Sequence, residues 1–248
     1  MTDSLPKIIG VIPARYDSSR FPGKPLINIR GKSMIMRVYE QAKKVKGLSD
    51  VIVATDDKRI ADEVDQHGGH FLMTSNQHRN GTERCAEVLD KIDAQYVVNI
   101  QGDEPYIYPE QIESLISTLD GKTELATLIK LIEDVEQLDD NTTMKVLKNL
   151  KDEAIYFSRQ CVPYIRDQEP SNWLKAHTFY KHIGIYAYRA DILQQIVQLP
   201  PSLLELAESL EQLRWIENGY KIKLAHTKFE SMSVDTPEDL GKLLKLHD

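Results

Sequence analysis

Only two cysteines, Cys85 and Cys161, occur in the 248 residues. No CxxC pair exists, so a structural zinc site or a redox dithiol has no support. Two reduced thiols are expected. No apolar run approaches the ~18 residues of a membrane-spanning helix. The N-terminal MTDSLPK lacks the basic and then apolar pattern of a secretion signal, so a cytoplasmic protein is expected. An excess of positive charge is also missing. The net charge is −7, which argues against a general nucleic-acid-binding surface. There is no Gly/Ser-rich linker, no internal repeat, no low-complexity stretch and no GxGxxG. Neither HExxH nor a Ser-His-Asp spacing is present.

What remains is an ordinary soluble composition, 41% hydrophobic and 28% charged. The length suits one α/β domain, residues 1–248, with room for a smaller lobe. Apolar runs at 8–12, 51–54, 71–73 and 96–100 read as strands. Helical spacing at 33–46, 60–67 and 82–92 alternates with them. Such alternation predicts βαβ units and a mainly parallel, Rossmann-like sheet flanked by helices. After about Thr123 the pattern changes. Runs at 125–132, 143–147, 155–157 and 181–188 read as strands with little helix between them. Helices are expected at 191–198 and 208–218, a strand at 221–225 and a closing helix at 237–246, capped by Asp235 or Thr236. Residues of about 123–190 therefore form a smaller mixed α/β lobe.

Parallel sheets bind ligands at the C-terminal ends of their strands. Three unusual stretches fall at such ends. The first is IPARYDSSRFPGKPL, Ile12 to Leu26, which gathers Arg15, Arg20 and Lys24 on a turn-rich loop. Arg offers a fork for phosphate oxygens and Lys a compact charge, so the loop suits a polyphosphate. A solvated basic turn would carry the same composition. Gly31-Lys32-Ser33 ends like a Walker A loop, but Leu26 stands where its first glycine belongs. The second stretch is QGDEP, Gln101 to Pro105. A carboxylate there, Asp103, is placed to hold Mg²⁺, which keeps much of its shell as water and phosphate. The third, VDTP, carries Asp235. Both aspartates could instead make turn or cap hydrogen bonds, or could converge on one metal. Asn80-Gly81-Thr82-Glu83-Arg84 could set backbone amides near a nucleotide, or serve as a turn and helix cap. Ser158-Arg159, His182 and Glu211-Gln212 are further polar candidates, each of a kind that is more often an ion pair, a satisfied polar residue or a solvated helix face.

These stretches, in this order, resemble the 3-deoxy-manno-octulosonate cytidylyltransferases, also called CMP-Kdo synthetases. The resemblance runs from about Ile8 to Leu240 through IPARYDSSRFPGKPL, VATDD, GTER, NIQGDEP, YFSR, KHIGIYAYR, ESLEQLR and VDTPEDL. The opening loop and QGDEP are shared more loosely with other sugar-activating nucleotidyltransferases; the last three stretches are more specific. The resemblance implies a nucleotide-diphospho-sugar transferase-like fold and the reaction CTP plus Kdo giving CMP-Kdo plus diphosphate, for lipopolysaccharide synthesis. It implies Arg15 and Lys24, with Arg20, on the triphosphate, and Ala14, Asn80, Gly81, Thr82, Gln101 and Asp103 around the nucleotide. Asp103 and Asp235 would bind Mg²⁺. Gln101, His182, Tyr186, Glu211 and Gln212 would line the sugar pocket, with Arg159 holding the anionic substrate. It also implies a homodimer with the smaller lobe as a contact. Two positions depart from the family pattern. Asn80 stands where the family usually has Ser, and Ser233 where it often has Gly. Ser233 would be strained if that backbone needed a positive φ.

Overall fold

The computed structural model describes residues 6–17 and 21–246. Strand β1 (Ile8–Ala14) leads through a short hairpin, β2 (Asn28–Ile29) and β3 (Lys32–Ser33), into α1 (Met34–Ala42). Next come β4 (Asp50–Thr55), α2 (Lys58–Gln66), β5 (Phe71–Met73), α3 (Gly81–Val88), β6 (Tyr96–Asn99) and α4 (Pro109–Ile116). After β7 (Leu125–Leu131) the chain runs through α5 (Glu136–Asp139), β8 (Lys145–Lys148), β9 (Ala154–Ser158) and α6 (Trp173–Ala176). It continues with β10 (Tyr180–Arg189), α7 (Ala190–Ile196), α8 (Leu203–Glu208), α9 (Glu211–Glu217), β11 (Ile222–His226) and α10 (Pro237–Leu246).

The central sheet has the order β11-β7-β10-β6-β1-β4-β5. Pairings β6–β1, β1–β4, β4–β5 and β7–β11 are parallel, while β10 runs antiparallel to both β6 and β7. The sheet is thus mainly parallel, as the alternating pattern predicts, with one reversed strand. Its strands read as continuous apolar runs because both faces are covered. Ile8 and Ile12 of β1 join one core with Val51, Val53, Val98 and the apolar sides of α1, α2 and α4. Ile9 and Val11 join the opposite core with Ile52, Val97, Trp215 and the apolar sides of α3 and α7.

The segment anticipated as a smaller lobe, about 123–190, gives its outer strands β7 and β10 to this sheet. The β8–β9 ribbon lies off the sheet's path, joined to β10 where Lys145 pairs with Lys181. Ile132, Leu138, Trp173 and Phe179 form a local core beside it.

Several elements differ from the sequence pattern for physical reasons. The helix expected over 33–46 is shorter because Lys44 and Val45 donate to carbonyls three residues back, a tighter winding. The same tightening ends α3 at Val88, with Leu89, Asp90 and Lys91 bonded three residues back. The helix expected over 208–218 is interrupted. Ser209 adopts φ 52 and Leu210 is extended, so α8 and α9 are separate helices. Helix α4, capped at Tyr108 with Pro109 in its first turn, has no counterpart in that reading. The Gly31-Lys32-Ser33 stretch is the β2–β3 hairpin. Arg30 and Gly31 both take positive φ at its tip, the geometry of a tight two-residue turn.

Candidate active site

The cationic loop is shaped before it meets any ligand. Gly23 adopts φ 71, and a Cβ there would meet the Tyr16 hydroxyl at 3.1 Å, so the turn needs glycine. The Gly23 amide donates to the Tyr16 carbonyl (2.9 Å), and Lys24 opens a short 3₁₀ turn over buried Pro25. This geometry aims the Lys24 ammonium at two carboxylates. It lies 2.8 Å from Asp103 Oδ2 and 3.1 Å from Asp235 Oδ1. Asp235 is released for this contact by its neighbours. Thr236 and Asp239 cap α10 reciprocally: the Asp239 amide donates to Thr236 Oγ1 (3.2 Å) and the Thr236 amide to Asp239 Oδ2 (3.0 Å). Of the two caps proposed for this helix, Thr236 holds the position. Ser233 is not among the described residues with positive φ, so serine sits there without the strain its substitution raised.

Arg15 faces the same space. Its guanidinium donates to the carbonyls of His78 (3.4 Å) and Arg79 (3.0 Å), which tie the cationic loop to the turn before α3. Asn80 caps α3 by accepting from the Glu83 amide (2.9 Å), and its Nδ2 donates to Glu211 Oε1 (2.8 Å). The amide thus uses both its acceptor and its donor. The Thr82 hydroxyl donates to the other Glu211 oxygen (2.9 Å). Burial raises the Glu211 pKa, and these two hydrogen bonds oppose the shift. Gln101 donates to the Gly184 carbonyl (2.7 Å), next to the irregular register of β10 against β7.

Arg15, Lys24 and their partners border a cavity of about 500 Å³ at the C-terminal ends of β1 and β6; Asn80 stands outside its wall and reaches it through Glu211. Its wall includes Ala14, Arg15, Lys24, Gly81, Thr82, Gln101, Asp103, Glu211 and Asp235. Tyr186 and Tyr188 complete it; their rings stack at 6.0 Å and both meet Trp215 edge-on. Burial pushes both phenols well above their ordinary pKa, so both are neutral.

The cavity therefore offers two cations, Arg15 and Lys24, on one side and paired carboxylates beside them. Among the described residues there is no group of three or more His, Cys, Asp or Glu side chains fit to hold a metal. An all-oxygen donor pair of this kind suits a small hard cation that draws its other ligands from phosphate and water, and does not suit zinc.

A family model described as cytidylyltransferase matches residues 9–222. The chain is 55% identical to 3-deoxy-manno-octulosonate cytidylyltransferase of Parabacteroides distasonis, over 96% of this chain and 97% of the relative. It is 56% identical to the protein of the same name from Cytophaga hutchinsonii, over 94% of each. The chain belongs to the 3-deoxy-manno-octulosonate cytidylyltransferase family. Among solved structures, it is similar to a CMP:2-keto-3-deoxy-manno-octonic acid synthetase complexed with CTP. That match has a TM-score of 0.91 at 44% identity and covers 97% of this chain and 98% of the other.

Family membership leaves each residue's role to be read from its position. Arg20 lies outside the described residues. His182 and Gln212 are buried and are not part of the cavity wall. His182 sits behind Tyr186, 5.2 Å between rings, with Nε2 bonded to Thr127 Oγ1 (2.9 Å). Burial pushes its pKa down to about 3, so the ring is neutral. Arg159 also lies away from the wall. Its guanidinium donates to the carbonyls of Glu208 (2.7 Å), Asn141 (3.2 Å) and Ser209 (3.5 Å). In this structure those contacts join β9 to the end of α8.

Other residues contribute without having been singled out as site residues. Asn99 lines the cavity and donates to the Tyr188 hydroxyl (3.4 Å). Its signal was visible: it is the one polar residue in the strand YVVN. Glu104 is buried beside Asp103 and accepts a hydrogen bond from Ser231. Burial pushes its pKa up to about 7, against the effect of that hydrogen bond. Both cysteines are free, as expected.

Proposed function

We propose that this chain transfers the cytidylyl group of CTP to the anomeric hydroxyl of Kdo, releasing diphosphate, in the supply of activated sugar for lipopolysaccharide. The observation that carries the reading is Lys24 held between Asp103 and Asp235 at the cavity. It occurs in a chain 55% identical to a protein bearing that activity's name.

Kdo is a carboxylate and CTP a polyanion, so their approach needs cations. Lys24 can exchange its carboxylate contacts for triphosphate oxygens, and Arg15 presents a second cation across the loop. Positioning and charge neutralisation supply most of what such a displacement requires. Asp103 and Asp235 would hold Mg²⁺. When bound there, Mg²⁺ supplies charge neutralisation at the phosphates and lowers the pKa of a neighbouring hydroxyl. Tyr186, Gln101 and Glu211 form the wall against which the sugar would be oriented. Neutral His182 supports Tyr186 from behind.

The protein is further read as a cytoplasmic homodimer, with the smaller lobe as contact. No helix among the described residues is long and apolar enough to cross a membrane. Leu150, Ile155 and Tyr164 expose apolar surface on that lobe. Light scattering on the purified protein tests the dimer.

The activity is tested by diphosphate release with CTP and Kdo, with and without Mg²⁺, beside ATP, GTP and UTP. Release that requires CTP, Kdo and metal together supports the proposal. Normal turnover without metal would overturn the metal assignment. Release only with a different sugar acid would reassign the substrate.

A further inference from the structure

Asp103 and Asp235 belong to different loops, and two contacts join those loops. The Val234 amide donates to the Asp103 carbonyl (2.9 Å). The Ser231 hydroxyl donates to Glu104 Oε2. Each contact links a carboxylate-bearing residue or its neighbour to the other loop, so together they fix both the height and the rotation of one loop against the other. Gln111 of α4 adds a third anchor. Its Nε2 donates to the Phe229 carbonyl (3.3 Å), and its Oε1 accepts from the Tyr108 amide (3.3 Å). Glu104 and Gln111 are both buried, so neither can swing into water to make up a lost partner. A buried carboxylate satisfied by a residue four positions before Asp235 has no part in the cavity wall. Its geometric consequence falls on the carboxylate pair.

We propose that Glu104 and Ser231 are positioning residues that set the relation between Asp103 and Asp235 and thereby the affinity of that pair for a divalent cation. This rests on the metal role given to the two aspartates above. Groups that orient metal ligands typically alter affinity by roughly 10-fold or more when removed.

The test is Mn²⁺ binding to the purified protein saturated with CTP, followed by electron paramagnetic resonance well below each variant's unfolding temperature. Ser231→Ala is expected to weaken Mn²⁺ roughly 10-fold. Glu104→Gln keeps an oxygen acceptor for the hydroxyl and is expected to stay close to wild type. Gln111→Leu loosens the same strap through Phe229 and through the Ser231 hydroxyl, which lies 3.4 Å from Gln111 Oε1, and supplies a second route should Ser231→Ala fold poorly; it is expected to shift binding in the same direction. Wild-type Mn²⁺ affinity in both Ser231→Ala and Gln111→Leu overturns the proposal. So does a Glu104→Gln variant as weak as Ser231→Ala, because charge rather than position would then be the cause. Asp103→Asn is the control. If the wild-type protein itself takes up no more Mn²⁺ than Asp103→Asn, the metal role of the aspartates falls and this proposal with it. Tight wild-type binding with unaltered variants overturns the positioning role alone.

Discussion

Lys24 Nζ touches Asp103 and Asp235 at once, at 2.8 and 3.1 Å, although Asp235 lies 211 residues further along the chain. One ammonium between two carboxylates balances most of their mutual repulsion. On the proposed function, it also marks the place where triphosphate and metal would meet.

Neutralising either aspartate should therefore damage chemistry more than folding. Asp103→Asn and Asp235→Asn are each expected to lower the diphosphate release rate on the order of 100-fold. Both side chains are partly exposed, at 25% and 36%, so the loss of ion pairing should cost little stability. Rate assays beside urea denaturation check both halves. Full Mg²⁺-dependent activity in either variant would remove that residue from the metal site.

Lys24→Ala should behave differently. It deletes the cation and leaves the two carboxylates facing each other. Its main effect is expected on handling of the triphosphate, with KM for CTP rising roughly 10-fold, the size of a lost charge-assisted hydrogen bond. KM for Kdo should change less. Steady-state kinetics in each substrate separates the two. Equal rises in both KM values would show that Lys24 shapes the whole cavity rather than the triphosphate end.

How far this site could be read from sequence depends on which contacts are local. The apolar runs 8–12, 51–54 and 96–100 announce buried parallel strands because they need no alternation, and the structure has them. Asp103 follows β6 closely, so its place at the strand end was legible. Asp235 was ambiguous, because a residue just before a helix reads as a cap until Thr236 and Asp239 are seen to cap each other. The split between α8 and α9 was hidden, because Ser209 rarely takes a left-handed backbone and nothing local demands it. The break starts α9 at Glu211, whose carboxylate meets Asn80 and Thr82. Arg159 illustrates the opposite limit. Its charge suggests an anion, while its carbonyl partners from α8 and the 140s loop come only with the fold.

His182 gives a prediction in pH. In the folded protein its pKa is pushed down to about 3, below the usual 6.5, because the ring is buried. Below pH 6.5 the unfolded chain therefore takes up a proton that the native state refuses. This group leaves stability untouched above 6.5 and erodes it as pH falls toward 3. Each unit in that window costs up to about 1.4 kcal/mol. His182→Gln should flatten part of the acid limb. Between pH 7 and pH 5 it should lose about 2 kcal/mol less than the parent in urea titrations. An identical pH dependence in both proteins would show that His182 takes up its proton as readily in the native state as in the unfolded chain.

Gly23→Ala tests whether the cationic loop is preorganised. Gly23 sits at φ 71, and the added methyl group would press on the Tyr16 hydroxyl. Tyr16 has little room to yield, because the Arg59 guanidinium lies over its ring at 3.2 Å and is itself forked onto Asp57. A left-handed alanine alone costs about 1–2 kcal/mol. The loop can meet that cost by staying strained, which lowers stability, or by shifting, which moves Lys24 off Asp103 and Asp235. Strain alone would lower the urea midpoint with KM for CTP unchanged. A shift would raise KM for CTP with a smaller loss of stability. The close packing of Tyr16 favours the second course, so the expected result is a KM for CTP raised several-fold, in the same direction as Lys24→Ala. Unchanged CTP kinetics and stability together would show that the turn has no need of glycine.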